Sequence, residues 1–157
     1  MTKHFIKKEI INMLKGIPKI VSPELLKVLC EMGHGDEIVI ADGNFPCESM
    51  GKNAIVVRAD GNNVPEILDA VLALIPLDQY YATPVALMEV VKGDTVPTPV
   101  IWNEYDALLK KHTPENCGVE YMERFAFYER AKKAYAIIAT SEEAVYANIL
   151  LKKGVVK

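Results

Sequence analysis

Few residues in this chain combine a chemistry-bearing side chain with a setting that would let it act. His34 stands in Met32-Gly33-His34-Gly35-Asp36, between two glycines that free the backbone and leave room beside the imidazole. An ordinary histidine ionises at ~6.5, which suits reversible proton exchange near neutrality. The same placement, just past a helical stretch, also fits a turn histidine that caps a helix C-terminus. Asp42 and Asp60 each follow an apolar run and precede a glycine. A carboxylate at such a strand end can accept two hydroxyls of a polyol or orient a histidine; it can equally form the turn itself. Asp60-Gly61-Asn62 is the plainer turn of the two. In Glu123-Arg124-Phe125-Ala126-Phe127-Tyr128-Glu129-Arg130, Arg124 and Tyr128 are four apart and can share a helix face. Glu129, Arg130, Lys132 and Lys133 read as solvated charges on that helix. Tyr146 and Asn148 alternate ahead of an apolar run, so both side chains can emerge on one face.

Other chemistries lack their signatures. The chain carries neither a G-x-G-x-x-G nor a G-x-x-x-x-G-K-[ST] phosphate loop, and no G-x-S-x-G elbow. Cys30 and His34 are four apart, but a zinc site needs three or four ligands, and Cys30 reads as a core residue. No metal and no cofactor is expected. The net charge of −3 and pI near 5.7 give no basic footprint for nucleic acid or an anionic membrane. No apolar run approaches the ~20 residues of a membrane span, and Met1–Lys8 is charged without the apolar stretch of a signal peptide. Three cysteines are an odd, sparse set, as in a reducing cytoplasm.

The elements that must position these residues follow from pattern. Ser22-Pro23 opens a helix to Met32 with an N-cap and a first-turn proline. Asn63 and Glu66 flank Pro65 at the start of another, through Ile75. Thr98-Pro99 opens a third, carrying Trp102, Tyr105, Leu108 and Leu109, and residues 124–133 form a fourth. Short apolar runs at 37–41, 55–58, 85–91, 136–139 and 148–151 read as strands. Strands alternating with helices predict a single-domain three-layer α/β/α sandwich around a mostly parallel sheet, with a mixed sheet as the alternative. Residues 1–13 are expected to be a mobile lead-in and 14–157 the one domain, with 157 residues enough for a core. Ligands in such folds bind beyond the carboxyl ends of strands, where Asp42 would lie.

The ordered set Ser22-Pro23-Glu24-Leu25-Leu26, Met32-Gly33-His34-Gly35-Asp36-Glu37-Ile38, Asp42 with Phe45-Pro46, Arg58-Ala59-Asp60-Gly61, Arg124 to Ala131, Tyr146-Ala147-Asn148 and Leu151-Lys152-Lys153-Gly154 resembles the L-fucose mutarotase and D-ribose pyranase family, on the fucose side. The resemblance implies an isomerase that exchanges the anomers of L-fucose by metal-free acid–base ring opening. It implies His34 as the proton donor, Asp42, Arg124, Tyr146 and Asn148 as sugar-binding residues, and Asp78 and Tyr128 as further pocket residues, Tyr128 with a second acid–base role. It also implies a homo-oligomer, with a decameric ring expected and the pocket at a subunit boundary. Two departures stand out: Asn44 replaces a histidine found in some bacterial relatives, and Ala147 replaces the usual glycine. Ribose pyranase activity, and a noncatalytic monosaccharide-binding module on the same fold, are the alternatives.

Overall fold

A computed structural model describes residues 13–157. The expected mobile lead-in therefore falls, apart from an exposed Met13, outside the described residues. The elements run α1 (Pro23–Glu31), β1 (Glu37–Ala41), α2 (Cys47–Met50), β2 (Ile55–Ala59), α3 (Val64–Leu74), β3 (Val85–Met88), α4 (Ile101–His112), β4 (Val119–Met122), α5 (Arg124–Lys132), β5 (Ala136–Thr140) and β6 (Ile149–Lys152). Two helix starts follow the predicted chemistry, whereas α4 begins at Ile101, after Val100 and without a side-chain cap, rather than at Thr98-Pro99. Ser22 Oγ accepts the Leu25 N–H at 3.1 Å and Asn63 Oδ1 the Glu66 N–H at 3.0 Å, satisfying donors that the first turn leaves free.

The six strands form one mixed sheet in the order β2-β5-β1-β6-β3-β4. β2, β5 and β1 pair in parallel, as do β3 and β4; β6 lies between β1 and β3 antiparallel to both. Five strands thus end at one edge of the sheet, and β6 begins there. Because successive side chains alternate across a strand, β1 feeds two cores. Ile38 and Ile40 pack with α1, α3 and α4 through Leu25, Leu29, Leu68 and Leu109. Val39 and Ala41 pack on the opposite face with Cys47 of α2 and with Phe127 and Ala131 of α5. That is the predicted three-layer sandwich, in its mixed form.

Four other readings need correction. β3 stops at Met88, not Val91, because the chain turns into a loop at Lys92-Gly93. β4 and α2 were not anticipated. Cys30 lies on the exposed side of α1 rather than in the core. Arg130 is no solvated charge: its side chain is 17% exposed and its guanidinium pairs with Glu37, at 2.5 Å, and with Glu120. This network ties α5 to the starts of β1 and β4.

Candidate active site

Where the five strands end and β6 begins, a cleft of about 300 Å³ opens, and Asp42, Arg124, Tyr128, Tyr146 and Asn148 all line it. Five of the seven expected site residues therefore converge. Asp42 follows β1 and is 5% exposed. Its backbone N–H donates to Asn148 Oδ1 at 2.7 Å, which locks the end of β1 to the start of β6. Its own Oδ1 accepts the N–H groups of Asn44 (3.0 Å) and Phe45 (2.9 Å), so the turn role and the cleft position coexist in one residue. Burial pushes the Asp42 carboxyl above the usual carboxylate range, opposed by the N–H groups of Asn44, Ala147 and Phe45. With Oδ1 of Asn148 occupied, the hydrogen-bonding capacity its amide retains is mainly that of a donor.

Arg124 opens α5, one turn before Tyr128, and its Nε–H reaches the Tyr128 hydroxyl at 3.3 Å. The guanidinium carbon stands 5.4 Å from the centre of the Tyr128 ring, a cation–π contact that orients both. Tyr128 also meets Phe45 edge-on at 5.5 Å. Tyr146 is the one non-glycine residue with positive φ (56°) among the described residues. Trp102 Nε1–H donates to its carbonyl at 2.8 Å and holds that conformation. Met88, Val91, Val96 and Val145 supply an apolar wall.

His34 and Asp78 are elsewhere. His34 precedes β1, and the Asp78 N–H donates to Lys152 O at the far end of β6, so both stand at the opposite edge of the sheet. They do meet each other: His34 Nε2 and Asp78 Oδ1 are 3.1 Å apart. Gly35, at φ +86°, makes the left-handed turn between His34 and β1 that a side chain would strain. The His34 side chain is 46% exposed beside the Tyr80 ring, while Asp78 is buried. Burial would raise the Asp78 carboxyl, but the Tyr80 N–H, the His34 ring and the Lys152 charge outweigh it and leave it below the usual range. Asp60, the plainer turn residue of the two aspartates, is exposed and bound to Arg58 at 2.7 Å. Among the described residues no group of three or more His, Cys, Asp or Glu could hold a metal ion.

Besides the apolar wall, sequence pattern missed a charged cleft residue, Asp94, which accepts a hydrogen bond from the Tyr146 hydroxyl at 2.5 Å. Nothing local signals it, because its partner is 52 residues away.

An open cleft at the sheet edge lined by two carboxylates, a guanidinium, two phenols and two amides, backed by an apolar wall, is of the class that suits a small polyhydroxylated molecule. The chain belongs to the RbsD / FucU family: the model described as "RbsD / FucU transport protein family" matches residues 15–156. It is 52% identical over 145 residues to the fucose mutarotase of Mus musculus, covering 90% of this chain and 94% of that protein. The crystal structure of FucU from Bifidobacterium longum superposes with a TM-score of 0.88 at 62% identity, over 91% of this chain and all of that one. The fucose mutarotase of Streptococcus pneumoniae, crystallised with L-fucose, gives a TM-score of 0.86 at 51% identity, over 92% of this chain.

Proposed function

We propose that this protein is an L-fucose mutarotase, an isomerase that interconverts the α and β anomers of L-fucose. The observation that carries this reading is the near-complete match to proteins named for that activity, at about half identity, in a chain whose cleft has the size and polarity of a monosaccharide site. The apolar wall offers the methyl group of fucose a surface that ribose, lacking that methyl, does not use.

The chemistry is a reversible ring opening. A base takes the proton of the anomeric hydroxyl, the bond from C1 to the ring oxygen breaks, and an acid protonates that oxygen. After rotation about the bond next to the aldehyde, the same steps run in reverse and close the other anomer. In our reading Asp42, Arg124, Tyr146 and Asn148 hold the sugar hydroxyls. Tyr128 and His34 exchange the protons, and Asp78 orients His34. Each positioned proton-transfer group contributes roughly 10²–10⁴-fold.

His34 cannot serve the cleft of its own chain, because the length of β1 separates them. Five strand residues at ~3.3 Å each put roughly 15 Å or more between His34 and Asp42. The site is therefore proposed to form between two copies, in a homo-oligomer that we take to be the decameric ring implied by the resemblance. The exposed Tyr80, Tyr121 and Phe125 supply aromatic anchors for such contacts. A cytoplasmic location is proposed from three free cysteines in one chain.

The test is saturation transfer between anomer signals in NMR of L-fucose, with D-ribose and D-galactose in parallel. Transfer with L-fucose supports the proposal. Binding without transfer would make the protein a noncatalytic sugar module, and preferential pyranose–furanose exchange of ribose would make it a pyranase.

A further inference from the structure

The loop that leaves β3 borders the cleft and reaches Tyr146 through Val91 and Asp94. Val91-Lys92-Gly93-Asp94 forms a turn closed by the Asp94 N–H on Val91 O at 2.9 Å, with Gly93 at φ +90°. Asp94 Oδ1 accepts the Val96 N–H at 3.1 Å, so one carboxylate oxygen shapes the loop. The other oxygen accepts a hydrogen bond from the Tyr146 hydroxyl at 2.5 Å. The Val91 N–H donates to that same hydroxyl oxygen at 3.2 Å. Val91, Asp94 and Val96 all line the cleft.

A phenol has one proton and two acceptor positions. In this arrangement the proton is committed to Asp94 and one acceptor position to Val91. What Tyr146 can still offer a ligand is a single acceptor position, sharpened by the carboxylate behind it. We propose that Asp94 is a positioning residue for the sugar cleft: it fixes Tyr146 as a hydrogen-bond acceptor toward one sugar hydroxyl and ties the 89–97 loop to the border of the cleft. This rests on the sugar-binding reading given above. The electrostatics agree with the geometry. The Asp94 bond raises the Tyr146 phenol above its ordinary value, against smaller opposing pulls from the Val91 N–H and then the Arg124 charge, while the Tyr146 hydroxyl holds the Asp94 carboxyl below its own. Asp94 is exposed and belongs to a loop, so its replacement leaves both cores untouched.

The experiment compares the parent, Asp94→Asn, Tyr146→Phe and the double variant. L-fucose affinity is read by NMR titration, and the tyrosine rings by ¹³C-tyrosine NMR against pH, with Tyr146→Phe assigning the signal. Asp94→Asn is expected to weaken L-fucose binding about tenfold, the order of a charge-assisted hydrogen bond. In the Tyr146→Phe background it should cost less than about twofold, because neighbours that act through one contact are not additive. The Tyr146 signal should titrate at lower pH in Asp94→Asn. Equal losses in both backgrounds would mean that Asp94 acts on its own, and an unmoved Tyr146 titration would mean that the bond does not bias the phenol; either overturns the proposal. A parent with no response to L-fucose at all would instead remove the reading on which it rests, whatever the tyrosine signal does.

Discussion

His34 and Asp42 bracket β1, one before its first residue and one after its last, so the strand that joins them in sequence holds them at opposite edges of the sheet. A variant in each edge can therefore be complemented by the other in a mixed oligomer. His34→Gln should lose anomer exchange on the order of 10²-fold, as for a proton-transfer group, and Arg124→Gln should lose most exchange through weakened hold on the sugar. Unfolded together and refolded at equal amounts, they should recover about a quarter of the parent rate, the share of two-chain sites in which both halves are intact. A mixture no more active than either variant alone would overturn the site shared between two copies, and a His34→Gln protein as active as the parent would place His34 outside the reaction.

Asp42→Asn separates stability from binding. The amide keeps an oxygen for the Asn44 and Phe45 N–H groups, so the turn survives. The native carboxyl titrates above its unfolded value because it is buried. For an acid shifted upward, the unfolded chain loses its proton first, so stability falls as pH rises across that interval and the penalty is complete at neutral pH. Removing the charge should leave the melting temperature at pH 7 equal to or above the parent's, while L-fucose affinity drops about tenfold. A lower melting temperature with unchanged affinity would make Asp42 a turn residue alone.

Arg130 lies two turns along α5 from the cleft-lining Arg124 and bridges Glu37 and Glu120 with little solvent access. Arg130→Met removes the cation that bridges two partly buried carboxylates and leaves Glu37 with Lys152, at 3.7 Å, as its remaining cation. Loss of one partner from a buried pair costs on the order of 3 kcal/mol. Urea unfolding should report that loss; a change below 1 kcal/mol, the scale of exposed pairs, would put the network in the class of surface ion pairs.

Burial pushes the Cys47 thiol up to about 11, so at pH 8 only about one molecule in a thousand carries the reactive thiolate. Cys30 is exposed on α1. Iodoacetamide on the native protein should label Cys30 and spare Cys47, as read by peptide mass spectrometry. Comparable labelling at both positions would show that the α2–sheet contact opens readily.

Legibility from sequence followed locality. The starts of α1 and α3 are readable because Ser22 and Asn63 cap groups three residues away; the start of α4 is not, because no side chain caps it. The apolar strands β1 and β5 were readable because buried strands of a sandwich are continuous hydrophobic runs. β4, Val119-Glu120-Tyr121-Met122, was missed because an edge strand pairs on one side only and none of its residues is fully buried. α2 is only four residues long and has no side-chain cap to announce it. At the site, Asp42 was legible from its place after an apolar strand. That it is joined to Asn148, and Asp94 to Tyr146, was not, since those pairs lie 106 and 52 residues apart. Arg130 was misread for the same reason: its partner Glu37 is 93 residues away.

In the proposed site, the pairing of His34 with Asp78 selects the imidazole nitrogen that faces the sugar. Asp78 is held below the usual carboxylate range, so at neutral pH it is ionised and accepts only. His34 Nε2, 3.1 Å from Asp78 Oδ1, must then carry the hydrogen, which leaves Nδ1 to exchange a proton with a sugar. Asp78→Asn keeps the size of the side chain but can turn either its oxygen or its amide nitrogen toward the ring. The carboxylate would no longer select one tautomer or stabilise the imidazolium. In a catalytic triad the same substitution is costly because it leaves the histidine in the wrong tautomer. Here the anomer-exchange rate should fall on the order of 10²-fold, about 2.7 kcal/mol of barrier. L-fucose affinity should change by less than about threefold, as the proposed role of Asp78 in orienting His34 requires. ¹⁵N NMR of the His34 ring supplies the second measurement: hydrogen on Nε2 in the parent, and a mixture of tautomers in the variant. A parent ring protonated on Nδ1, or an Asp78→Asn variant that exchanges anomers at the parent rate, would separate the pair from the reaction and leave Tyr128 as the proton-transfer group to test next.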